Sequence, residues 1–267
     1  MQEYVHGYTQ KEAVRLNDQA NTLDNLLHHD SLWENGSLIL EAGCGVGAQT
    51  KIIAPKNNKS KFISIDISKD SIYHAEKVID SLGIKNVEFK QDDIFNLSFN
   101  DNYFDHVFVC FVLEHLSDPL RALLELKRVL KPGGTIMAIE GDHGSAYFYP
   151  DSKEAQKAIR CQVELQKQNG GDANIGRQLY PLLCESGFSQ VTISPRMVYV
   201  DDSKPGLIEG FTKNTFTAMI EGIADAAVSK KLIDREEMNK GINDLYKTAG
   251  RGGTFCYTFF KSIALKN

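Results

Sequence analysis

The chain has 267 residues, of which 42% are hydrophobic and 24% charged, enough for one large α/β domain with an added element or for two small domains. With 30 basic and 35 acidic residues the formal net charge is −5, and no basic run is longer than the pair Lys230 and Lys231, which disfavours a nucleic-acid partner. Five widely spaced cysteines and the lack of a long apolar run predict a reduced, cytoplasmic protein that is neither exported nor membrane-spanning.

Residues 9–29 have the periodicity of an amphipathic helix, with apolar side chains recurring every three or four positions. An ordinary packing helix with a solvated polar side is one interpretation. The other is that Tyr8, Arg15 and Gln19 form a wall over the loop described next, with Tyr8 and Arg15 contacting its ligand. The apolar positions are Leu16, Ala20, Leu23 and Leu27.

A glycine-rich loop follows the first predicted strand. In residues 38–50, three apolar residues run into Glu41 and then into Gly43, Gly45 and Gly47 on alternate positions. This pattern predicts a buried strand, a tight turn and a helix. Glycines adopt positive φ and admit close approach, while the first amides of the following helix point outward as donors. The loop is therefore predicted to seat a nucleotide-type ligand directly on backbone.

Strands and helices alternate after this loop, which predicts βαβ units and a parallel sheet covered on both faces. The second strand ends in Asp66, and Asp93 follows the third. Gly83 is predicted to end one helix as a left-handed cap, and Asp118 followed by Pro119 to begin another. The predicted strands are 61–66, 87–90, 104–112 and 135–140.

The second half of the chain departs from this alternation twice. Residues 143–171 contain an aromatic cluster and a helix-like stretch, and residues 196–251 have a mostly helical pattern. Strands are predicted at 191–194 and 254–263. We expect a core formed by residues 36–142, 172–195 and 252–267 and a helical cap formed by residues 1–35, 143–171 and 196–251.

The loop by itself leaves two cofactors open. Gly43 and Gly45 with Ala48, and Asp66 further on, also satisfy the dinucleotide fingerprint, so an NAD(P)-dependent Rossmann oxidoreductase is one alternative. Glu41, with no Lys or Arg before Lys51, would repel a pyrophosphate. The same acid would attract a ligand that carries an ammonium group.

Further segments, in order, favour the second kind of ligand. They are the 41–47 loop, Asp66, Asp93-Ile94, the Cys-Phe-Val-Leu-Glu-His segment 110–115 and the Leu-Lys-Pro-Gly-Gly segment 130–134. Together they resemble the motifs of class I S-adenosylmethionine-dependent methyltransferases, in the small-molecule branch that includes the ubiquinone and menaquinone C-methyltransferases. The resemblance covers residues 36–195 well. It implies an α/β, doubly wound, mostly parallel Rossmann-like sheet of about seven strands with the last strand antiparallel.

The resemblance also implies S-adenosyl-L-methionine as the cofactor and gives the loop a role in binding it. Gly43, Gly45 and Gly47 would back the methionine part of the cofactor, and Cys44 and Gln49 belong to the same binding loop. Glu41 joins them as the acid that attracts the ammonium group.

The ends of the strands would bind the rest of the cofactor. Asp66 would accept hydrogen bonds from both ribose hydroxyls, and Ile67 would pack on the adenine. Asp93 would accept from the adenine amino group, Ile94 would donate its amide, and Cys110 would present its carbonyl to the ammonium. Taken alone, Asp66 has a helix cap as its alternative role, and Asp93 has the start of a turn.

A general base is needed only if the acceptor must lose a proton. His143 is the first candidate because it lies just past the fifth strand, with His115, Glu140 and Tyr8 as further candidates and a purely structural histidine as the alternative. The acceptor pocket is expected to use aromatic and methionine side chains of the two insertions. These are Tyr147, Phe148, Tyr149, Met197, Tyr199, Phe211, Phe216 and Met219.

The expected function is methyl transfer by in-line displacement to a small apolar, aromatic or amine metabolite, without nucleic-acid or membrane partners. No metal site is expected, since His28, His29 and Asp30 have no further residues at ligand spacing. Besides the oxidoreductase, a non-catalytic partner protein that binds S-adenosylmethionine is an alternative.

Overall fold

A seven-stranded sheet is the centre of the protein. The computed structural model describes residues 10–267, apart from the side chains of residues 10, 11 and 13. The strands are β1 (Leu38–Ala42), β2 (Lys61–Asp66), β3 (Val87–Gln91), β4 (Phe104–Cys110), β5 (Leu130–Tyr149), β6 (Ser189–Val200) and β7 (Thr254–Leu265). Their order is β3-β2-β1-β4-β5-β7-β6. Since β7 is antiparallel to both neighbours and the first five strands pair in parallel, the predicted fold is confirmed.

Helices pack on both faces of this sheet, and a π-helix interrupts those of the second insertion. Short 3-10 turns lie at Leu113–His115 and Ile175–Gln178. The α-helices are α1 (Gln10–His28), α2 (Thr50–Lys56), α3 (Lys69–Ser81), α4 (Pro119–Val129), α5 (Lys153–Gln168), α6 (Leu179–Glu185), α7 (Pro205–Leu207), α8 (Ala218–Gly222), α9 (Ala224–Ser229) and α10 (Arg235–Thr248), with the π-helix Ile208–Thr217 between α7 and α8.

Successive residues of β4 point to opposite faces, as the pleat of a strand requires. Val107 and Val109 belong to the apolar core that includes α4 and α6. Phe108 belongs to the other core, with Leu23 and Leu27 of α1. The burial of both faces explains why this strand is a nearly continuous apolar run in the sequence.

Local signals in the sequence correctly predicted several helix ends. The side chain of Asp118 accepts a hydrogen bond from the Arg121 amide and Pro119 opens α4, as predicted. Gly83 follows α3 with a φ of +69°. The predicted amphipathic helix is α1, in which Ala20, Leu23 and Leu27 are buried.

The predicted end of β5 at Glu140 was wrong. The strand continues to Tyr149, and residues 147–149 pair with residues 254–256 of β7. An irregularity between Asp142 and Tyr147 separates the two parts of this pairing. Glycines 141 and 144 suggested a loop in the sequence, but here they belong to a bulged strand, which is a common use of glycine within sheets.

The start of the second insertion was also placed too early. β6 extends to Val200, so residues 196–200 form part of the sheet edge and helices begin only at Pro205. In the described part of the chain, no helix combines the length and the apolar character needed to cross a membrane.

Candidate active site

The glycine loop connects β1 to α2 at the carboxyl edge of the sheet. Gly43 has a φ of +77°, and a Cβ atom on it would lie 2.4 Å from Val112 Cγ2. Gly47 has a φ of +79°, and its Cβ would lie 3.1 Å from that of Ala75. Gly45, with a φ of +52°, is different, since a Cβ there would meet nothing within 4 Å. Gly43 and Gly47 therefore allow close packing beneath the loop, and Gly45 forms its open surface.

Asp66 links the end of β2 to this loop. Its Oδ2 accepts a hydrogen bond from the Gly45 amide at 2.9 Å, and its Oδ1 accepts one from the Ser68 amide at 2.9 Å. Burial raises the pKa of Asp66, although these backbone hydrogen bonds act in the opposite direction. The cap of α3 is Ser68 itself. Each carboxylate oxygen can accept a second hydrogen bond, so the expected ribose contact remains a prediction.

The neighbouring strand ends carry Ile67, Asp93 and Ile94. Ile67 is 48% exposed, which is unusual for its residue type and leaves it available to pack on a flat ring. Asp93 Oδ1 accepts a hydrogen bond from the Phe95 amide at 2.9 Å, so this residue starts a turn. Its contact with adenine, like the amide contact from Ile94, stays a prediction.

Glu41, which was expected to attract the ammonium group of the ligand, does not face open space in the structure. It is buried, and its Oε2 accepts hydrogen bonds from Thr50 Oγ1 at 2.8 Å and Ser64 Oγ at 2.6 Å. Burial raises the pKa of Glu41 to about 7, with a further contribution from Asp66. In this structure Glu41 therefore supports the loop from below, because the pleat of β1 directs its side chain into the protein.

Two other predicted loop residues are held by neighbours. Cys44 is buried, and burial raises the pKa of its thiol well above the usual range. Gln49 Oε1 lies 2.9 Å from His28 Nε2, which ties the start of α2 to α1. His28 also contacts Ser31, so it takes a structural role.

A tight turn at the end of β4 lies next to the loop. Cys110 is buried in the sheet, and Phe111 has the left-handed φ of +59°, which is uncommon for a bulky residue. Glu140 Oε1 accepts hydrogen bonds from the amides of Val112 and Leu113 at 3.0 and 2.8 Å. Whether the Cys110 carbonyl contacts the cofactor stays a prediction.

The prediction of Glu140 as a general base was wrong in its geometry. The residue is 0% exposed and does not line the cavity described next. Burial and nearby Glu114 raise the pKa of Glu140 well above its usual range, which favours the protonated acid. Glu140 therefore holds the turn in place.

A cavity lies beyond this turn, between α1, the sheet and the helical insertions. It encloses about 570 Å³ with its mouth included. Residues from all three predicted cap segments contribute to its walls. The lining side chains include Arg15, Leu16, Gln19, Phe111, Glu114, His115, His143, Gln162, Gln166, Phe211, Thr215, Phe216, Met219, Tyr257 and Phe259.

Three of the eight side chains expected in the acceptor pocket line this cavity. Phe211, Phe216 and Met219 line the cavity, because they lie on the π-helix and α8. Phe148 instead stacks on Phe255 in the extended sheet. The other predicted residues are exposed on β5 and β6, since those strands run further than expected: Tyr147, Tyr149, Met197 and Tyr199.

His143 lines the cavity, and neighbours contact both of its ring nitrogens. Its Nδ1 lies 3.1 Å from the Ala173 carbonyl oxygen and 3.1 Å from the Tyr257 hydroxyl. Because a carbonyl only accepts, Nδ1 is assigned the hydrogen, and the lone pair belongs to Nε2. Nε2 lies 3.5 Å from Met219 Sδ, and burial lowers the pKa of the imidazole.

Glu114 and His115 project from the 3-10 turn into the same cavity. His115 Nε2 lies 3.6 Å from Glu114 Oε1, and burial lowers the pKa of His115 despite that carboxylate. Gln166 Nε2 donates to the Glu114 backbone carbonyl at 2.9 Å and lies 3.2 Å from Glu114 Oε2. The turn is therefore fixed from β5 by Glu140 and from α5 by Gln166.

The wall of α1 residues expected over the glycine loop stays a prediction. Arg15 and Gln19 line the cavity, and Arg15 donates to Glu12 through Nε at 2.8 Å and through Nη2 at 2.6 Å. Tyr8 lies outside the described residues. Among the residues that are described, no group of three or more His, Cys, Asp or Glu is arranged to hold a metal ion.

Sequence reasoning missed Tyr257 and Phe259 of β7, as well as Gln162 and Gln166 of α5. The aromatic residues recur with a period of two along the last strand, a signal that predicts one buried face. The glutamines gave no comparable signal, because polar residues on a helix are usually solvated.

Comparisons with known proteins agree with this architecture. A model of the methyltransferase domain matches residues 34–187. The chain belongs to the methyltransferase domain family. Over 232 residues it is 30% identical to an uncharacterised protein from a transposon of Streptomyces fradiae, covering 81% of this chain and 66% of that protein. A demethylmenaquinone methyltransferase of Bacillus cereus is 31% identical over 106 residues, which are 39% of this chain and 45% of that protein.

This chain has the same fold as a solved structure of a putative methyltransferase from Bacillus halodurans. The TM-score is 0.56 at 18% identity, over 92% of this chain and 98% of that one. The chain spans less than two thirds of the length of either curated relative. The resemblance to class I S-adenosylmethionine-dependent methyltransferases is confirmed, S-adenosylmethionine is the cofactor, and a dinucleotide oxidoreductase is not favoured.

Proposed function

We propose that this protein transfers a methyl group from S-adenosylmethionine to a small-molecule acceptor held in the cavity. One observation carries the proposal, namely that a single turn borders both sites. Val112 packs beneath Gly43 of the glycine loop, whereas Phe111 and Glu114 of the same turn line the cavity. A ligand on the loop and an acceptor in the cavity would thus be neighbours, as an in-line displacement requires.

The strand ends fit the cofactor. Gly45 offers open backbone, Asp66 retains acceptor capacity on both oxygens, and Ile67 presents an exposed apolar face. We assign Asp93, Ile94 and the Cys110 carbonyl to the same site. When bound, S-adenosylmethionine supplies a methyl group on a positively charged sulfur, and its thioether is a good leaving group. The protein's own contribution is alignment, close approach and exclusion of water.

His143 is the proposed proton acceptor. Its ring lines the cavity, and Nε2 carries the lone pair because Nδ1 is engaged by Ala173 and Tyr257. Burial keeps the imidazole neutral, which is the form that accepts a proton. His115 is the second candidate, since its ring also lines the cavity.

A small acceptor suits the shape of the site. Residues of α1, α5, the π-helix and α8 line the cavity, and we propose that these helices act as the cap. The walls of the cavity combine aromatic and apolar side chains with a few polar groups, as is typical of small-molecule sites. The net charge of −5 disfavours nucleic acid, and the five cysteines, all unpaired, suit the reducing cytoplasm.

The test is transfer of isotope-labelled methyl groups from S-adenosylmethionine into a cell extract. We expect label in the small-molecule fraction and its loss with Asp66→Asn and His143→Gln. Label confined to protein or RNA would contradict a small acceptor. Binding of S-adenosylmethionine with no labelled product in any fraction would favour the non-catalytic alternative.

A further inference from the structure

Five aromatic rings form one continuous wall of the cavity. Tyr257 lies at the centre of this wall, 4.8 Å from Phe259 and 5.5 Å from Phe216 between ring centroids. Tilted and edge-on contacts join the remaining rings to it, so the ring faces are arranged as a surface rather than as isolated side chains. The five rings are Phe111, Phe211, Phe216, Tyr257 and Phe259.

Among the described residues that line this aromatic cavity, Glu114 is the one that carries a carboxylate. Its backbone carbonyl accepts hydrogen bonds from Gln166 Nε2 at 2.9 Å and from the Asp172 amide at 2.8 Å. Gly171 packs against it so closely that a Cβ atom there would lie 2.3 Å from the Glu114 carbonyl oxygen. The residue is 8% exposed. Glu114 is therefore fixed in position before any ligand arrives.

The other charged groups of the cavity do not neutralise this carboxylate. Among the described residues that line the cavity there is no lysine, and the guanidinium of Arg15 is bound by both oxygens of Glu12. His115 and His143 are neutral at pH 7, because burial lowers the pKa of each. A fixed negative charge surrounded by ring faces is the setting that binds organic cations.

We propose that the methyl acceptor is an amine with an apolar or aromatic substituent, its nitrogen at the Glu114 carboxylate and its apolar part against the five rings. This inference rests on the proposed function and adds the chemical class of its acceptor. A protonated amine gains a charge-assisted hydrogen bond from Glu114 and a cation–π contact from the rings. An acceptor that carries a carboxylate at this position would be repelled.

The chemistry requires the nitrogen to lose a proton. The ammonium form has no lone pair, so one proton passes from nitrogen to His143 Nε2. The nitrogen lone pair then forms the new N–C bond while the S–C bond breaks and its electron pair stays on sulfur. The methylated nitrogen is again an ammonium cation, which the Glu114 carboxylate stabilises. His143 later returns its proton to solvent.

The experiment compares three probes that share a ring and differ in the polar end: 2-phenylethylamine, 2-phenylethanol and phenylacetate. Binding is measured by calorimetry in the presence of S-adenosylhomocysteine, so it does not depend on turnover. We expect the amine to bind about tenfold or more tightly than either other probe. Glu114→Gln should remove that preference, whereas Glu185→Gln, which changes an exposed carboxylate on α6, should preserve it.

Equal or tighter binding of the alcohol or the carboxylate to the unaltered protein would overturn the proposal, as would the absence of amine binding at millimolar concentration. This comparison stands even if Glu114→Gln fails to fold. The labelled extract tests methyl transfer and the amine class of the acceptor separately. Labelled products without a basic nitrogen would refute the amine and uphold methyl transfer, whereas no labelled product would refute the proposed function.

Discussion

Gly43 lies so close to Val112 that a Cβ atom on Gly43 would be 2.4 Å from Val112 Cγ2. The loop after β1 and the turn after β4 are therefore one packed unit. Gly45 shares the positive φ but would meet nothing within 4 Å. Two glycines of one motif thus meet different demands, one for packing and the other for an open surface.

Alanine at each position should separate these demands. Gly43→Ala combines a left-handed backbone with a clash, so it should lower the free energy of unfolding by about 3 kcal/mol. Gly45→Ala should lower it by only about 1 kcal/mol, yet weaken binding of S-adenosylhomocysteine about tenfold. Urea titration and calorimetry measure the two effects. Equal stability of the two variants would show that the contact between Gly43 and Val112 does not limit which residue the loop tolerates there.

The fold was predictable because its signals are local. The pattern of each strand and helix depends on residues close together in the chain. So do the helix ends, as at Asp118 before Pro119 and at Gly83 after α3. The orientation of Glu41 was not predictable in this way, because β1 is buried on both faces and the sequence does not show which side faces a ligand.

The acceptor cavity was much less predictable. Gln166 reaches Glu114 across 52 residues of sequence, and Tyr257 reaches His143 across 114. The π-helix that carries Phe211 and Phe216 has i→i+5 geometry, which no apolar period of 3.6 indicates. Contacts that depend on tertiary packing in this way have no local sequence signal.

Asp66→Asn should weaken cofactor binding while the fold remains. An amide keeps the size of the carboxylate but loses its charge, and its NH2 group cannot accept the hydrogen bond that one oxygen now accepts from the Gly45 or Ser68 amide. We expect at least a tenfold loss of affinity for S-adenosylhomocysteine by calorimetry, with a loss of only about 1 kcal/mol in the free energy of unfolding. Asp80→Asn, an exposed acid on α3, is the control. Unchanged affinity in Asp66→Asn would remove the ribose assignment.

Glu41 should make stability depend on pH. Its pKa is raised from 4.5 to about 7 in the folded protein, so between these values the folded state binds more protons than the unfolded state. The free energy of unfolding therefore falls as pH rises through this window, by about 3 kcal/mol in total.

Glu41→Gln should abolish that contribution, because glutamine does not titrate. The difference between its urea stability curve and that of the unaltered protein should grow from pH 4.5 to pH 8 in favour of the variant. Glu76→Gln, an exposed change on α3, should leave the curve unaltered. A flat difference would contradict the buried, ionisable state. A large loss of cofactor affinity in Glu41→Gln would instead favour its contact with the ammonium group.

If His143 is the base, His143→Gln should reduce kcat by about 10² or more without weakening the binding of S-adenosylhomocysteine. Because burial lowers the pKa of His143, turnover should persist as pH falls to 6.5 and decline only below it. Glu114, Asp142, His115 and the Tyr257 hydroxyl are charged or titratable groups that act on this ring. His74→Gln, on the exposed face of α3, is the control, and equal kcat at every pH would exclude the base.

Lys261 fastens α1 to the sheet. Its buried Nζ donates to the Leu27 carbonyl at 3.0 Å, to Asp30 Oδ1 at 2.6 Å and to Ser31 Oγ at 2.9 Å. Lys261→Met keeps the aliphatic stem but leaves these acceptors without their donor. We expect a loss of about 2 kcal/mol in the free energy of unfolding and faster amide exchange along α1, which carries Arg15 and Gln19 to the cavity. Lys61→Met alters an exposed ion pair with Glu88 and is the control, which should change neither stability nor amide exchange. If amides of α1 are equally protected in both variants, the helix is held by its apolar face alone.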